Sequence, residues 1–190
     1  MLRLGFILTT FCLSMNIGST ISIHNNQLVS DSLLTKENKS LLNKYKLSED
    51  ITCSKKPYLV NTILSLGKSM GVRVIYGKPK LENKDATYEA FPGKLGIITI
   101  KNRPMSQIVY CQLVTHEFIH VLQHIHGDLN SVKPLGLELK YNDIYRNSSL
   151  QEAEAYAYQD YIGYIIDLLN FYSNQLNHSE LGLQINFIFA

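Results

Sequence analysis

Two histidines and a glutamate in one short segment are the residues of this 190-residue chain best suited to metal chemistry. His116, Glu117 and His120 form an H-E-x-x-H motif, with the histidines four positions apart. Four residues advance an α-helix by about 6 Å and rotate it by about 40°, so both imidazoles leave one face of the helix. This spacing suits a single Zn²⁺ ion bound at about 2.0 to 2.1 Å from each nitrogen.

The glutamate beside the first histidine favours a catalytic site over a structural one. On a helix, Glu117 projects next to the metal and can accept a proton from an attacking water. A purely structural zinc site prefers four protein ligands, often cysteines, and has no need of this carboxylate. We therefore predict a catalytic Zn²⁺ site with Glu117 as the general base.

Apolar residues surround the motif on nearly every side of its helix. They are Ile108, Val109, Leu113, Val114, Phe118, Ile119, Val121, Leu122 and Ile125. A helix with this pattern is buried. Two histidines and a carboxylate are costly to bury unless a metal or hydrogen bonds satisfy them, so the context strengthens the metal interpretation.

A catalytic zinc usually takes a third protein ligand, and His126 is one candidate. It lies ten residues after His116, the spacing at which metzincins place their third histidine. Metzincins break the helix with a glycine where this chain has Gln123, and they need a later methionine turn, whereas no methionine follows Met105. In a continuous helix, His126 would point about 240° away from His120.

Two glutamates in a later predicted helix, Glu152 and Glu154, are the other candidates for the third ligand. Residues two apart on a helix point about 200° away from each other, so only one of the two can face the metal. The apolar periodicity of this helix does not separate them and leans slightly towards Glu154.

H-E-x-x-H followed some thirty residues later by E-x-E-A at 152–155 resembles the gluzincin zinc peptidases, including the HtpX-like and CAAX-type membrane peptidases. Small exported H-E-x-x-H proteins of cyanobacteria look similar. The resemblance implies a zincin-like fold, zinc-dependent peptide hydrolysis and Glu152 as the third ligand. Tyr156 stands where the commoner E-x-E-A-D form has an aspartate that orients a ligating histidine, and Asp160 or a backbone carbonyl could take that role.

The rest of the chain predicts an α+β domain, with a three-stranded sheet packed on the buried H-E-x-x-H helix and a second long helix. The predicted strands are Val72–Tyr76, Thr87–Phe91 and Leu95–Lys101, and the predicted helices are Ser32–Tyr45, Pro57 to Gly67 or Gly71, Pro104–His126 and Ser149–Tyr172. Residues 128–147 are predicted to be a loop and residues 183–189 a last strand or tail. The zincin-like domain is expected over residues 56–190, after a loosely packed polar segment at 21–55.

The first twenty residues have the pattern of a signal peptide, with one early cation, Arg3, and an apolar stretch from Leu4 to Ile17. We expect an exported protein, in a periplasmic, lumenal or extracellular compartment, and an uncleaved membrane anchor is the alternative. Cys53 and Cys111 are compatible with one disulfide in such a compartment or with two buried free thiols. A free Cys53 could also cap the zinc.

Net charge and charge distribution bear on the partners. The formal net charge is +2 and the basic residues are scattered, which argues against nucleic-acid binding. We expect a peptide or protein substrate, bound along the edge of the Leu95–Lys101 strand, and membrane contact only through the leader. The candidate donors to the transition state are Tyr141, Tyr145, Tyr156, Tyr158 and His126. A non-catalytic zinc-binding module and a metal-free surface protein are the rival functions.

Overall fold

The structure, a computed structural model, describes residues 49–140 and 149–174 and the isolated positions 27, 28, 40, 44 and 142. The predicted leader, the predicted C-terminal strand, Tyr141 and Tyr145 lie outside the described residues. Of the predicted helix over 32–45, only positions 40 and 44 are described. Among the described residues, no helix is both long enough and apolar enough to cross a membrane.

The strands form two separate sheets. They are β1 Gln27–Leu28, β2 Arg73–Gly77, β3 Ala86–Phe91, β4 Lys94–Lys101 and β5 Leu139–Lys140. In the three-stranded sheet β4 is central, parallel to β2 and antiparallel to β3. The α+β class and the three predicted strands are therefore confirmed, with bounds shifted by one residue. The antiparallel pair of β1 and β5 was not predicted, since residues 139–140 were placed in a loop.

Within the described ranges 49–140 and 149–174, four helices accompany the sheet. They are α1 Val60–Met70, α2 Gln107–His126, α3 Leu150–Tyr158 and α4 at 162–174. A 3₁₀ turn at Pro57–Leu59 leads into α1, which ends at Gly71 in the left-handed conformation with φ of 100°. Of the two glycines predicted to stop this helix, Gly71 is the one that does so, because its φ is favourable for glycine alone.

The H-E-x-x-H helix, α2, is buried over most of its length, as its apolar pattern predicts. It begins three residues later than expected, since Ser106 and not Pro104 marks its start. The Ser106 side chain accepts a hydrogen bond from the Val109 N–H at 3.3 Å and so satisfies one free donor of the first turn. The helix ends before Gly127, where an added Cβ would lie 1.8 Å from the Ser131 carbonyl oxygen.

The prediction of one long helix over Ser149–Tyr172 is wrong, because the helix is interrupted at 159–161, between α3 and α4. At the break, the Asp160 carbonyl accepts the Cys53 N–H at 2.8 Å and the Ile51 carbonyl accepts the Gly163 N–H at 3.1 Å. Residues 51–53 thus supply hydrogen bonds that a continuous helix would have made internally. A Cβ at Gly163 would lie 2.5 Å from the Ile51 side chain, so glycine allows this close approach.

Cys53 and Cys111 form a disulfide that ties the segment before α1 to the first turns of α2. The alternatives of two free thiols and of a free Cys53 capping the metal are therefore wrong. Thr52 and Cys53 are buried, so at least this part of the predicted polar segment packs into the core. The disulfide and the hydrogen bonds to Asp160 hold α2 and the α3–α4 break in fixed relation.

Candidate metal centre

His116 and His120 lie side by side on the inner face of α2. Their ring centroids are 5.0 Å apart and the ring planes meet at 80°. Only 8% of the His116 side chain and 13% of the His120 side chain are exposed. The motif therefore presents two nearly buried imidazoles to one point, as the four-residue spacing predicts.

Glu152 approaches the two histidines from the first turn of α3. The Ser149 side chain caps this helix by accepting the Glu152 N–H at 3.2 Å. The Glu152 carboxylate then lies 3.2 Å from His120 Nε2 and 3.8 Å from His116 Nε2. One ligand atom from each of the three residues lies within 4.8 Å of the others, and no other such cluster occurs in the described part of the chain.

Glu154 points away from the histidines, as the geometry of a helix requires once Glu152 faces them. Its carboxylate accepts the backbone N–H groups of Leu135, Gly136 and Leu137 at 2.7, 2.7 and 2.9 Å. It also accepts the Gln123 side-chain amide at 2.9 Å. Burial raises the pKa of Glu154, while these four donors lower it. The slight preference of the apolar periodicity for Glu154 is therefore misleading, since this residue is buried in a different environment.

Glu117 is buried beside the cluster, with only 3% of its surface exposed. Burial raises its pKa to about 7, partly offset by the positive charge of His120 and by the Tyr88 backbone N–H. Its Oε2 atom has no hydrogen-bond partner among the described residues. An unpaired buried carboxylate oxygen is costly, so this atom is suited to accept a hydrogen bond from a water in the cleft.

The charge states of the three candidate ligands fit metal binding. Burial and the charge of His120 lower the pKa of His116 to about 4, so it is neutral at pH 7. The hydrogen bond from His120 lowers the pKa of Glu152 to about 2, so it is ionised. Burial lowers the pKa of His120, but Glu152 and Glu117 raise it overall. A metal would replace the proton that His120 shares with Glu152.

Gln123 supplies the outer hydrogen bond to His120. The amide Oε1 atom lies 2.7 Å from His120 Nδ1. Asp160, predicted as one candidate for this role, instead accepts hydrogen bonds from Ser54 and from the Gln112 side chain. Gln123 is itself fully buried.

A cleft of about 780 Å³ opens over the histidines and Glu117. One wall is β3, whose residues from Ala86 to Ala90 line it. The prediction that a substrate binds along the Leu95–Lys101 strand is wrong, because this strand is β4 and is paired on both sides. The free edge in contact with the cleft belongs to β3.

Lys84 and Tyr156 stand together at the other side of the cleft. The Lys84 ammonium lies 3.3 Å from the Tyr156 hydroxyl and 3.5 Å from Glu152 Oε2. The Tyr156 ring packs edge-on against His116 at 4.6 Å between centroids. Tyr156 was one of the predicted donors, whereas Lys84 was missed because a single lysine in a polar loop carries no sequence signal.

The remaining candidate residues lie elsewhere. His126 is not part of the cluster, since α2 continues unbroken to it, and the Tyr158 hydroxyl donates to the Glu138 carbonyl at 2.9 Å. His124 is buried, and its Nδ1 is 2.8 Å from the Tyr88 hydroxyl.

No protein-family model, curated protein or solved structure matches this chain.

Proposed function

We propose that this protein is an exported zinc-dependent metallopeptidase. His116, His120 and Glu152 would hold the zinc, and Glu117 would be the general base. The observation that carries the proposal is the convergence of two imidazoles and one carboxylate beside the unpaired Oε2 of Glu117. Two histidines and a glutamate are a known ligand set of catalytic zinc, which leaves a position for water. The E-x-E-A resemblance to gluzincins supports the same assignment.

The reaction would be hydrolysis of a peptide bond. Zinc, when bound, supplies a Lewis acid that polarises both the attacking water and the substrate carbonyl. Glu117 accepts the proton of the water on Oε2 and then passes it to the leaving amine. Its raised pKa suits this exchange, since a base that must also act as an acid works best with a pKa near the working pH.

Two side chains of the cleft are placed to stabilise negative charge. The Tyr156 hydroxyl and the Lys84 ammonium lie beside Glu152 and His116, on the side where a carbonyl oxygen would carry developing charge. Tyr156 would donate the hydrogen bond, and Lys84 would keep its hydroxyl polarised. Both of these roles, that of Tyr156 and that of Lys84, depend on the proposed reaction.

An extended peptide would bind along the free edge of β3. This strand lines the cleft from Ala86 to Ala90 and, among the described strands, has a neighbour on one side only. Backbone hydrogen bonds to such an edge hold a substrate regardless of its sequence. The carbonyl group of the peptide bond to be cleaved would then lie over the histidine pair.

Export is supported by two features of the chain. The Cys53–Cys111 disulfide is of a kind that persists in oxidising compartments and is rare in the cytosol of most organisms. The leader-like pattern of the first twenty residues agrees with this.

A peptide-library digest of the wild type and of Glu117→Gln, with zinc analysis of both, tests the proposal. We expect both proteins to bind one zinc and only the wild type to cleave. Glu82→Gln is the matched control, because Glu82 is an exposed glutamate paired with Lys78 outside the cleft lining and should not affect cleavage. If both proteins bind zinc and neither cleaves, the chain is a non-catalytic zinc-binding module. If neither binds zinc, the metal centre itself is disproved.

A further inference from the structure

The side-chain amide of Gln123 has only one satisfactory orientation. It is fully buried, and its nitrogen donates to the Gln151 carbonyl at 3.0 Å and to Glu154 Oε2 at 2.9 Å. A carbonyl and a carboxylate only accept, so both N–H bonds of the amide are used there. Reversing the amide would place its oxygen against two other oxygens. The Oε1 atom must therefore face His120.

Glu154 is the group that fixes this orientation. Its carboxylate is held by three successive backbone N–H groups, at residues 135, 136 and 137, so it is a rigid acceptor. The same loop contacts Gln123 directly, through the Lys133 N–H and the Gln123 carbonyl at 3.0 Å. A continuous set of hydrogen bonds thus leads from the loop through Glu154 and Gln123 to His120.

The orientation of Gln123 determines which nitrogen of His120 carries the proton in the metal-bound state. Because Oε1 can only accept, the Nδ1 atom at 2.7 Å must donate. The lone pair of Nε2 is then free on the side of Glu152 and His116, where a metal would lie. A histidine that could form either tautomer would spend part of its time with Nε2 blocked by hydrogen.

We propose that Gln123, held by Glu154, is a positioning residue that fixes His120 with its proton on Nδ1 and its Nε2 lone pair towards the metal. This inference rests on the proposed metal centre and deepens it. It gives the second glutamate of the E-x-E pair a function: Glu154 acts on the site through an amide, while Glu152 contacts the site directly.

Gln123→Met tests the positioning role, since methionine has a similar length and lacks the strong acceptor that His120 needs. Gln107→Met is the matched control, because Gln107 lies on the same helix and is exposed to solvent in its first turn. We expect zinc affinity, measured by chelator competition, to fall by about 10- to 100-fold in Gln123→Met. The control should bind zinc as the wild type does.

Nitrogen-15 NMR of the histidine rings separates positioning from a general loss of stability. In the zinc-loaded wild type we expect the His120 Nδ1 proton to be visible and protected from exchange with solvent. In zinc-loaded Gln123→Met this proton should exchange rapidly, since its acceptor is gone. A merely structural role for Gln123 would lower the stability of the protein and leave this signal unchanged.

A second variant keeps the test decisive if Gln123→Met does not fold. Glu154→Gln preserves size but brings an NH₂ group to a point where four donors converge, so it should loosen Gln123 and weaken zinc binding. Zinc affinity and a His120 signal equal to those of the wild type in either folded variant would overturn the positioning role while leaving the metal centre intact. Failure of the wild type to bind zinc would overturn the metal centre, and the positioning role with it.

Discussion

Glu117 is a buried carboxyl group with a pKa raised to about 7 from an ordinary value of 4.5. In the metal-free protein this shift has a consequence for folding. The group favours the folded state fully below pH 4.5, and this contribution is lost as the pH rises through 7, because the unfolded chain ionises more easily. This buried carboxyl group thus weakens the metal-free fold at and above neutral pH.

Replacing Glu117 by Gln should therefore stabilise the metal-free protein at pH 8 relative to the wild type, by on the order of 3 kcal/mol. At pH 4.5 the difference should be much smaller, since the wild-type carboxyl is then protonated in the folded state and about half protonated in the unfolded chain. Urea unfolding in the presence of a chelator at the two pH values measures both quantities. An equal difference at the two pH values would contradict the assignment of the raised pKa to Glu117.

Glu152 and Glu154 should respond differently to the same substitution. Glu152→Gln removes a proposed ligand, so zinc affinity should fall by more than the 10- to 100-fold typical of outer hydrogen-bond partners. Glu154→Gln should affect the zinc site only through Gln123, so its loss of zinc affinity should lie within that range. Chelator competition on the two variants in parallel gives the comparison, and a larger loss for Glu154→Gln would reverse their roles.

The sequence was sufficient to predict those parts of the site whose residues lie close together in the chain. The four-residue spacing of His116 and His120 is sufficient to place both rings on one face of a helix. Periodicity could not choose between Glu152 and Glu154, since the residues around both glutamates contact other parts of the protein. The contact between Gln123 and Glu154 joins residues 31 positions apart, and no local pattern reports it.

At the scale of elements, α2 depends on a close contact with α1. An added Cβ at Gly67 would lie 2.3 Å from the ring of Phe118, which belongs to the H-E-x-x-H segment. Glycine lets the two helices approach until the ring fills the space. The position of both histidines therefore depends on a small residue on a neighbouring helix.

Gly67→Ala should destabilise the protein by about 1 to 3 kcal/mol, as overpacking of a core does. This expected loss of stability is opposite in sign to the gain of about 0.5 to 1 kcal/mol that alanine brings to an unhindered helix position. Gly77→Ala, at the end of β2 with nothing within 4 Å, is the control and should change stability little. Equal stabilities of the two variants in urea unfolding would show that Phe118 does not restrict position 67.

The order of the strands and the break between α3 and α4 were beyond prediction for a common reason. Apolar residues recur at helical spacing on both sides of 159–161, as at Tyr158, Ile162 and Ile165, so local periodicity favours one helix, which the contacts with the distant residues 51–53 interrupt. Likewise, each strand has a similar pattern, so nothing local makes β4 central and β3 the edge. Both features are decided by tertiary contacts.

At the scale of the whole molecule, the α+β class follows from a run of three strand-like segments that lies between helical segments, and the structure confirms it. The Cys53–Cys111 disulfide closes a loop of 58 residues that includes α1 and the three-stranded sheet. The sequence could not decide between a disulfide and two free thiols, because pairing of cysteines depends on their separation in space.

Replacing both cysteines by serine should lower the free energy of unfolding by about 4 kcal/mol, from the chain entropy that a loop of this length regains. The zinc affinity of the folded variant should be retained, because neither cysteine touches the cluster. Chemical unfolding and chelator competition measure the two effects. A loss of zinc binding in the folded double variant would mean that the disulfide also positions the histidines.

X-ray absorption at the zinc edge, on protein loaded with one equivalent of zinc, tests the metal centre most directly. We expect two imidazole nitrogens at about 2.0 to 2.1 Å and carboxylate or water oxygens at about 2.0 to 2.2 Å, with the imidazole signal lost in the His116→Ala, His120→Ala double variant. A sulfur shell at about 2.3 Å, an imidazole signal unchanged in that variant, or failure to bind one equivalent would contradict it.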